Sequence, residues 1–371
     1  KSNEKIHRIM KIKNIFFAAI LVLAGFSCSM EDDAIMNDVE KGIEEATEAY
    51  TVLDFGVAFN EMATKASTTV VPGEDRPATG DENNDEKKIS EVSVFLLEDG
   101  KVIGILIPQN RNQVSSNSDG SITLKDLKFV TKYKTNRTLE AHVVINGNQF
   151  LKNINIGDAQ SALNQQISGC LSADQLIKYG STRIVFGKDI TNSYSSPSVA
   201  ENNPTTILVK VSHVAARLDF SQFDVTLKGF EGNPTVVFDE AKFVNLQQNG
   251  KIVEGDASVN VKDGAFLNRS NRIGTRWTDM GTAYGYANQY RQDSEMNTAL
   301  YVKFTVDGRT FEKTYPINPA GITKEVDHNG IKGGYLYDIK VRWTITPDWG
   351  DSTIEFYTRD WVHNSIPEIV L

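Results

Sequence analysis

The chain has 371 residues, a formal net charge of −9 and a hydrophobic fraction of 40%. That length accommodates two ordinary domains with cores of their own, and the acidic balance argues against nucleic acid as a partner. Only two cysteines, Cys28 and Cys170, are present, too few for a disulfide framework, so stability must come from buried apolar surface.

Residues 10–33 read MKIKNIFFAAILVLAGFSCSMEDD. Lys11 and Lys13 precede an apolar run from Ile15 to Phe26, and Ser27 stands directly before Cys28. The run falls short of the about 20 residues that a transmembrane helix needs. It reads as an export signal ending at a lipid-attachment cysteine. Residues 1–27 are then a signal peptide that starts at Met10, Cys28 is the lipidation site, and 28–48 is an acidic tether with a short helix near Val39 to Ala46. Each acyl CH₂ buried in a bilayer contributes about 0.8 kcal/mol, so several chains hold such a protein on the outer membrane.

Next, Leu53, Phe55, Val57 and Phe59 alternate with Asp54, Gly56, Ala58 and Asn60. Period-two alternation predicts a strand with one buried face, here within 49–62. Lys65 to Lys88, with Pro72, Pro77 and an acidic run from Gly80 to Glu86, reads as a polar, solvated loop. From Ile89 onward the chain reads mainly as strand. Asp99-Gly100 predicts a hairpin between Val92–Leu96 and Val102–Ile107, and Asp119-Gly120 marks a second turn. Leu139 to Asn146 is a valine-rich strand. Two helices are expected, Ala159–Gln165 capped by Asp158 and Ala173–Tyr179 with the capping-box pair Ser172 and Gln175. Ser193 to Pro204 reads as a loop before a long strand from Thr206 to Phe220 that leads into a second domain.

Further strands are expected near Val225 and Val236, at Ala241–Leu246, Leu300–Val306, Arg309–Tyr315 and Tyr335–Thr346. Asn249-Gly250 and Asp307-Gly308 supply hairpin turns. Asn268 to Met296, rich in Arg, Tyr and Gly, reads as a long surface loop. In it Arg269, Arg272, Trp277, Tyr284, Tyr286 and Tyr290 form an aromatic-basic group able to touch sugars or a host protein. Many short strands with frequent turns predict an all-β chain of two β-sandwich domains with a few short helices, 49–212 and 213–371.

No catalytic or metal pattern emerges. His142, His213, His328 and His363 share no ligand spacing, and no nucleophile elbow, zinc-helix or phosphate-loop pattern is present. Cys170 reads as a small core residue. No enzyme activity, cofactor or metal is expected.

Taken together, the lipoprotein signal with Glu31, Asp32 and Asp33 behind it, Thr64-Lys65-Ala66, Ile89-Ser90-Glu91-Val92-Ser93-Val94-Phe95, Val143-Val144-Ile145-Asn146, Val214-Ala215-Ala216-Arg217, Lys332-Gly333-Gly334-Tyr335-Leu336-Tyr337-Asp338-Ile339 and the tail with Trp361 resemble the fimbrillins, or type V pilins, of the Bacteroidota. The resemblance implies two transthyretin-like sandwiches. It also implies export as a lipoprotein and cleavage by a trypsin-like protease between Lys65 and Ala66, where this chain has lysine in place of the frequent arginine. Arg76 is followed by Pro77, a poor context for such a protease. Cleavage removes the first strand with Leu53, Phe55, Val57 and Phe59. A donor tail at 352–371, with Ile354, Phe356, Trp361, Ile366, Ile369 and Leu371 as its apolar residues, then fills the vacancy in another subunit. The expected partners are other fimbrial subunits, as a homopolymer or with accessory subunits, the maturation protease, the outer membrane before cleavage, and a host or bacterial surface ligand. The alternatives are a monomeric surface lipoprotein that binds glycans or host proteins, or a fimbrial anchor or tip subunit.

Overall fold

Nearly every stretch of alternating sequence becomes a strand, and the alternation decides which face of each strand is buried. The structure is a computed structural model that describes residues 48–59, 84–118, 120–268, 272–318, 328–348 and 350–360. The expected export signal, the expected lipidation site Cys28 and the expected helix at Val39–Ala46 lie outside the described residues. The described residues from Ala49 onward belong to one compact unit.

The N-terminal part supplies β1 (Tyr50–Phe59), β2 (Val92–Glu98), β3 (Lys101–Leu106), β4 (Val114–Ser116), β5 (Ile122–Lys132), β6 (Thr138–Ile145), β7 (Gln166–Ser168), β8 (Lys178–Val185) and β9 (Thr205–His213). It also holds two short helices, α1 (Asn148–Leu151) and α2 (Pro197–Glu201). Eight of these strands form one sheet in the order β3-β2-β6-β8-β9-β1-β5-β4. The sheet curls until β3 lies against β5. Its concave side closes on a core that includes Leu53, Phe55, Val57, Val94, Leu96, Leu139, Val143, Phe186 and Val209.

The C-terminal part supplies β10 (Ala216–Leu227), β11 (Val236–Val244), β12 (Leu246–Gln247), β13 (Asn249–Lys251), β14 (Val261–Lys262), β15 (Phe266–Asn268), β16 (Arg272–Ile273), β17 (Arg276–Gly285), β18 (Ala299–Val306), β19 (Arg309–Pro316), β20 (Tyr335–Ile345) and β21 (Gly350–Asp360). A sheet ordered β17-β10-β20-β21 packs on one ordered β15-β11-β18-β19, with β16 also paired to β11. Their inner faces share a core rich in aromatic residues, among them Phe220, Phe223, Phe238, Phe304, Trp277 and Trp343. Phe223 meets Phe238 and Phe304 edge-on at centroid distances of 5.4 and 5.3 Å, the arrangement that the ring quadrupole favours. The fold is an all-β sandwich architecture.

Three of the motifs that carry the resemblance acquire a structural reason. Asn146 ends β6 with a positive φ of 57°. Its side-chain oxygen accepts from Ser90 N–H at 2.9 Å and its amide donates to the Lys88 carbonyl at 2.9 Å, so it fixes the entry to β2. Val214–Arg217 and Lys332–Asp338 meet each other. Gly334 N–H donates to the Ala215 carbonyl at 2.9 Å, and β10 and β20 then run parallel from Arg217 opposite Leu336. At Gly333 a Cβ would lie 2.1 Å from the Val214 carbonyl oxygen, so no side chain fits at this crossing.

The structure departs from several expectations. Ala159–Gln165 is only a 3₁₀ turn at Gln160–Leu163, entered from Ala159 and without a side-chain cap. Ala173–Tyr179 shrinks to a 3₁₀ turn at Ala173–Gln175, because Lys178 and Tyr179 pair with β6 and β9 in β8. Asn249-Gly250 is no hairpin turn; it lies in β13, which pairs with β7. Asn268–Met296 is not a surface loop. It contains the ten-residue strand β17, and Trp277 and Tyr286 are buried. The signal was present in the aromatic residues themselves, which suit strands, but arginine and glycine between them hid the alternation. Glu86, assigned to a solvated loop, is fully buried.

Candidate functional site around the first strand

β1 is the first of the described strands, yet it sits in the interior of the eight-stranded sheet. On one side it pairs antiparallel with β5, from Tyr50 opposite Lys132 to Val57 opposite Ile122, with an irregularity between Leu53 and Phe55. On the other it pairs parallel with β9, from Leu53 opposite Thr205 to Phe59 opposite Val211. The parallel register is possible because the whole N-terminal sheet intervenes between the two strands in sequence, as parallel pairs require a long crossover.

The alternation read from the sequence is the burial pattern. Leu53, Phe55 and Val57 have no exposed surface and Phe59 is 5% exposed. All four belong to the core inside the curled sheet. Burying them contributes about 6–12 kcal/mol at roughly 1.5–3 kcal/mol each. Removing β1 would leave β5 and β9 with two facing rows of unpaired backbone groups above an opened core. That is a slot for one extended segment. The strands on each side of the slot would keep their own ladders, since β8 pairs with β9 at Lys178 and Tyr179 and β4 pairs with β5, and β3 lies against β5 across the curl.

The chain that follows β1 is anchored beyond the slot. Glu86 accepts a hydrogen bond from Arg217 Nη1 at 2.9 Å and another from the Tyr284 hydroxyl. Arg217 Nε also donates to Asp219 at 2.9 Å. Burial alone would lower the Arg217 pKa, but the carboxylates of Asp219 and Glu86 outweigh it and hold the guanidinium above its usual value. Burial and the Glu86 carboxylate push the Tyr284 phenol upward. Lys178 Nζ donates to the Glu86 carbonyl at 2.8 Å. These contacts fasten the residues after the 60–83 segment to β8, β10 and β17. A cut within 60–83 would therefore sever β1 from the rest of the chain without freeing Glu86.

Of the tail residues, Ile354 and Phe356 lie in β21, opposite Val341 and Ile339 of β20. β21 is an edge strand with β20 as its sheet neighbour. Trp361, Ile366, Ile369 and Leu371 lie outside the described residues, as do Lys65 and Ala66. The aromatic-basic group is dispersed: Trp277 is in the C-terminal core, Tyr286 donates to the Gly169 carbonyl at 2.7 Å, and Tyr284 binds Glu86. Arg269 lies outside the described residues. Among the described residues no group of His, Cys, Asp or Glu is placed to hold a metal ion. Sequence reading missed the outer face of β1, its parallel pairing with β9, the break at Val214 and Ala215 that divides the expected strand Thr206–Phe220 into β9 and β10, and α2. A glycine within a strand, Gly56, was one available signal, and Ser196 followed by Pro197 at a helix start was another.

No protein-family profile and no curated protein matches the chain. Solved structures do. A candidate cell adhesion protein from Parabacteroides distasonis superposes with a TM-score of 0.57 at 17% identity, covering 86% of this chain and 99% of that one. A fimbrial assembly protein from the same organism gives 0.48 at 16% identity over 84% of this chain and 100% of that one. A fimbrilin from Porphyromonas gingivalis gives 0.48 at 14% identity over 85% and 99%. The chain shares the fold of the first of these, and its solved neighbours are fimbrial and cell-adhesion proteins of the Bacteroidota.

Proposed function

We propose that the chain is a structural subunit of a cell-surface fimbria that supports adhesion. It is exported as a lipoprotein attached through Cys28 to the outer membrane and matured by a trypsin-like cut between Lys65 and Ala66. It then polymerises by strand exchange through two sandwich domains, 49–212 and 213–371. The observation that carries this reading is the position of β1: first of the described strands, interior in the sheet, and joined onward through 60–83. The fold shared with a candidate cell adhesion protein adds to it.

The geometry of the tail bears on how such a subunit would reach its neighbour. β20 runs from Tyr335, near the junction with the N-terminal sheet, to Ile345 at the far end, and β21 returns from Gly350 to Asp360 opposite Tyr335. While paired, β21 points its end back toward the junction. Peeled from β20, the segment from 350 onward would pivot at the far end and reach roughly 70 Å at about 3.3 Å per residue. An edge strand gives up one sheet ladder on leaving, which makes β21 a more available donor than any interior strand. Replacement of β1 by another strand yields only the difference between two similar burials, so the cut that frees β1 gives the process its direction.

The rival reading, a monomeric lipoprotein that binds glycans through 268–296, loses Trp277, Tyr284 and Tyr286 to packing. The test is to treat the purified precursor with a trypsin-like protease, sequence the new N-terminus and inspect the product by electron microscopy. Filaments whose subunits begin at Ala66 are expected. Filaments whose subunits still carry Cys28 would overturn the proposal.

A further inference from the structure

β1 has two faces, and only one enters the core inside the curled sheet. The outer face carries Val52, Asp54, Gly56 and Ala58. Val52 has no exposed surface, although it lies outside that core. α2 packs against β1 and β5, and its Ala200, like Val52, is fully buried yet outside that core. The helix is fastened in place: the Ser196 hydroxyl accepts from Val199 N–H at 3.4 Å, and Lys128 Nζ of β5 donates to the Glu201 carbonyl at 2.7 Å. Just before it, Tyr194 and Tyr50 exchange two backbone hydrogen bonds of 2.8 Å. Residues 194–201 thus strap the start of β1 from outside.

Further along the same face the backbones approach closely. Gly56 lies opposite Leu208 of β9 and Thr123 of β5. A Cβ at position 56 would stand 3.2 Å from the Leu208 Cδ1 and 3.2 Å from the Ile122 carbonyl oxygen. Leu208 is half exposed and can swing outward. The Ile122 carbonyl belongs to the backbone of β5 and cannot turn without loosening the sheet. Glycine weakens a strand, so its presence at this point is offset by the fit.

We infer that the slot between β5 and β9 selects its occupant on both faces: it takes an aliphatic residue beneath α2 at the position of Val52 and a residue without a side chain at the position of Gly56. The occupant is an extended segment, apolar at alternate positions, with glycine four residues after the outer aliphatic. β1 has this pattern. The tail 350–371 has no glycine beyond Gly350 and no more than two successive apolar residues at alternate positions, against four in β1, so it matches neither requirement in full. The slot therefore holds its own first strand more tightly than the tail of a second copy. The inference rests on the strand-exchange reading for the event that empties the slot, but its test needs no filament.

The test uses the full chain with a specific protease site inserted between Lys65 and Ala66. After cleavage, the dissociation rate of the labelled N-terminal fragment is followed by size-exclusion chromatography. Gly56→Val and Val52→Asp should each raise the rate at least tenfold. Gly56→Ala should raise it a few-fold, and adding Leu208→Ala should leave most of that rise in place, because Leu208 can swing aside and the Ile122 carbonyl cannot. Unchanged rates would overturn the inference, as would full reversal of the Gly56→Ala rise by Leu208→Ala. In a second arm, emptied chains are offered equal amounts of synthetic peptides spanning 50–59 and 350–371. Preference for the first by about tenfold is expected, and equal capture would also overturn it. Absence of filaments would count against the fimbrial reading and leave these rates untouched.

Discussion

Arg217 lies 2.9 Å from the carboxylate of Glu86, whose side chain has no exposed surface, and the two are 131 positions apart in the chain. Removing one partner of a buried pair leaves an uncompensated charge and costs about 3–5 kcal/mol. Glu86→Ala should lower the unfolding free energy by about that amount in urea titrations, and Glu86→Gln by less, since it keeps a hydrogen-bonding group. A stability equal to wild type in Glu86→Ala would show that the pair does not hold the segment.

Phe55 is fully buried in the core beneath β1. Phe55→Ala should cost about 3–5 kcal/mol, the range for deleting a buried aromatic side chain. The loss should show as a lower urea midpoint. Ala58, on the outer face and partly exposed, provides the control: Ala58→Ser should change the midpoint little.

His142 is 2% exposed, with its Nδ1 2.8 Å from the Tyr179 hydroxyl and Nε2 3.4 Å from Glu140. Burial holds its pKa below the usual 6.5, while Glu140 opposes the shift. A histidine lowered on folding binds fewer protons folded than unfolded in the window between its two pKa values. Its contribution is thus fully present above pH 6.5 and falls as acid carries the solution through the folded-state value. Stability measured from pH 7.5 down to pH 5 should decline, and His142→Gln should flatten the slope. An identical slope in the variant would assign the pH dependence to other groups.

Gly333→Ala places a methyl group 2.1 Å from the Val214 carbonyl oxygen unless the backbone moves. Overpacking of this kind typically costs about 1–3 kcal/mol. Calorimetry should show a lower melting temperature, and amide exchange should quicken at Gly334, whose N–H binds Ala215.

Deleting 354–371 removes most of β21, an edge strand, and should leave a folded, secreted monomer that no longer polymerises after cleavage. Electron microscopy and analytical ultracentrifugation read the outcome. Normal filaments from the deletion would exclude the tail as donor.

Much of the site was legible because strand alternation has a period of two. Leu53, Phe55, Val57 and Phe59 could face a core only together, and Asp99-Gly100 could hardly be anything but a turn. The inner face of β1 was readable for that reason. Its outer face was not, since Val52 and Gly56 take their meaning from α2 and from Leu208, more than 140 residues away in the chain. Glu86 looked solvated because a carboxylate in an acidic run normally is; its burial depends on Arg217 and Tyr284, which no local pattern links to it. The stretch around Trp277 was misread for a related reason: its polar residues face outward from a sheet whose existence depends on β10.

The sequence alone determined that the chain folds as β-structure, which residues of the first strand point inward, and where most turns fall, because these follow from side-chain periodicity and the backbone freedom of glycine. Tertiary structure decided that the first strand lies between β5 and β9 instead of at an edge, and that Glu86 meets Arg217. Pairing between distant strands is set by the summed fit of ladders and packed side chains across the whole sheet, a quantity that no single segment contains.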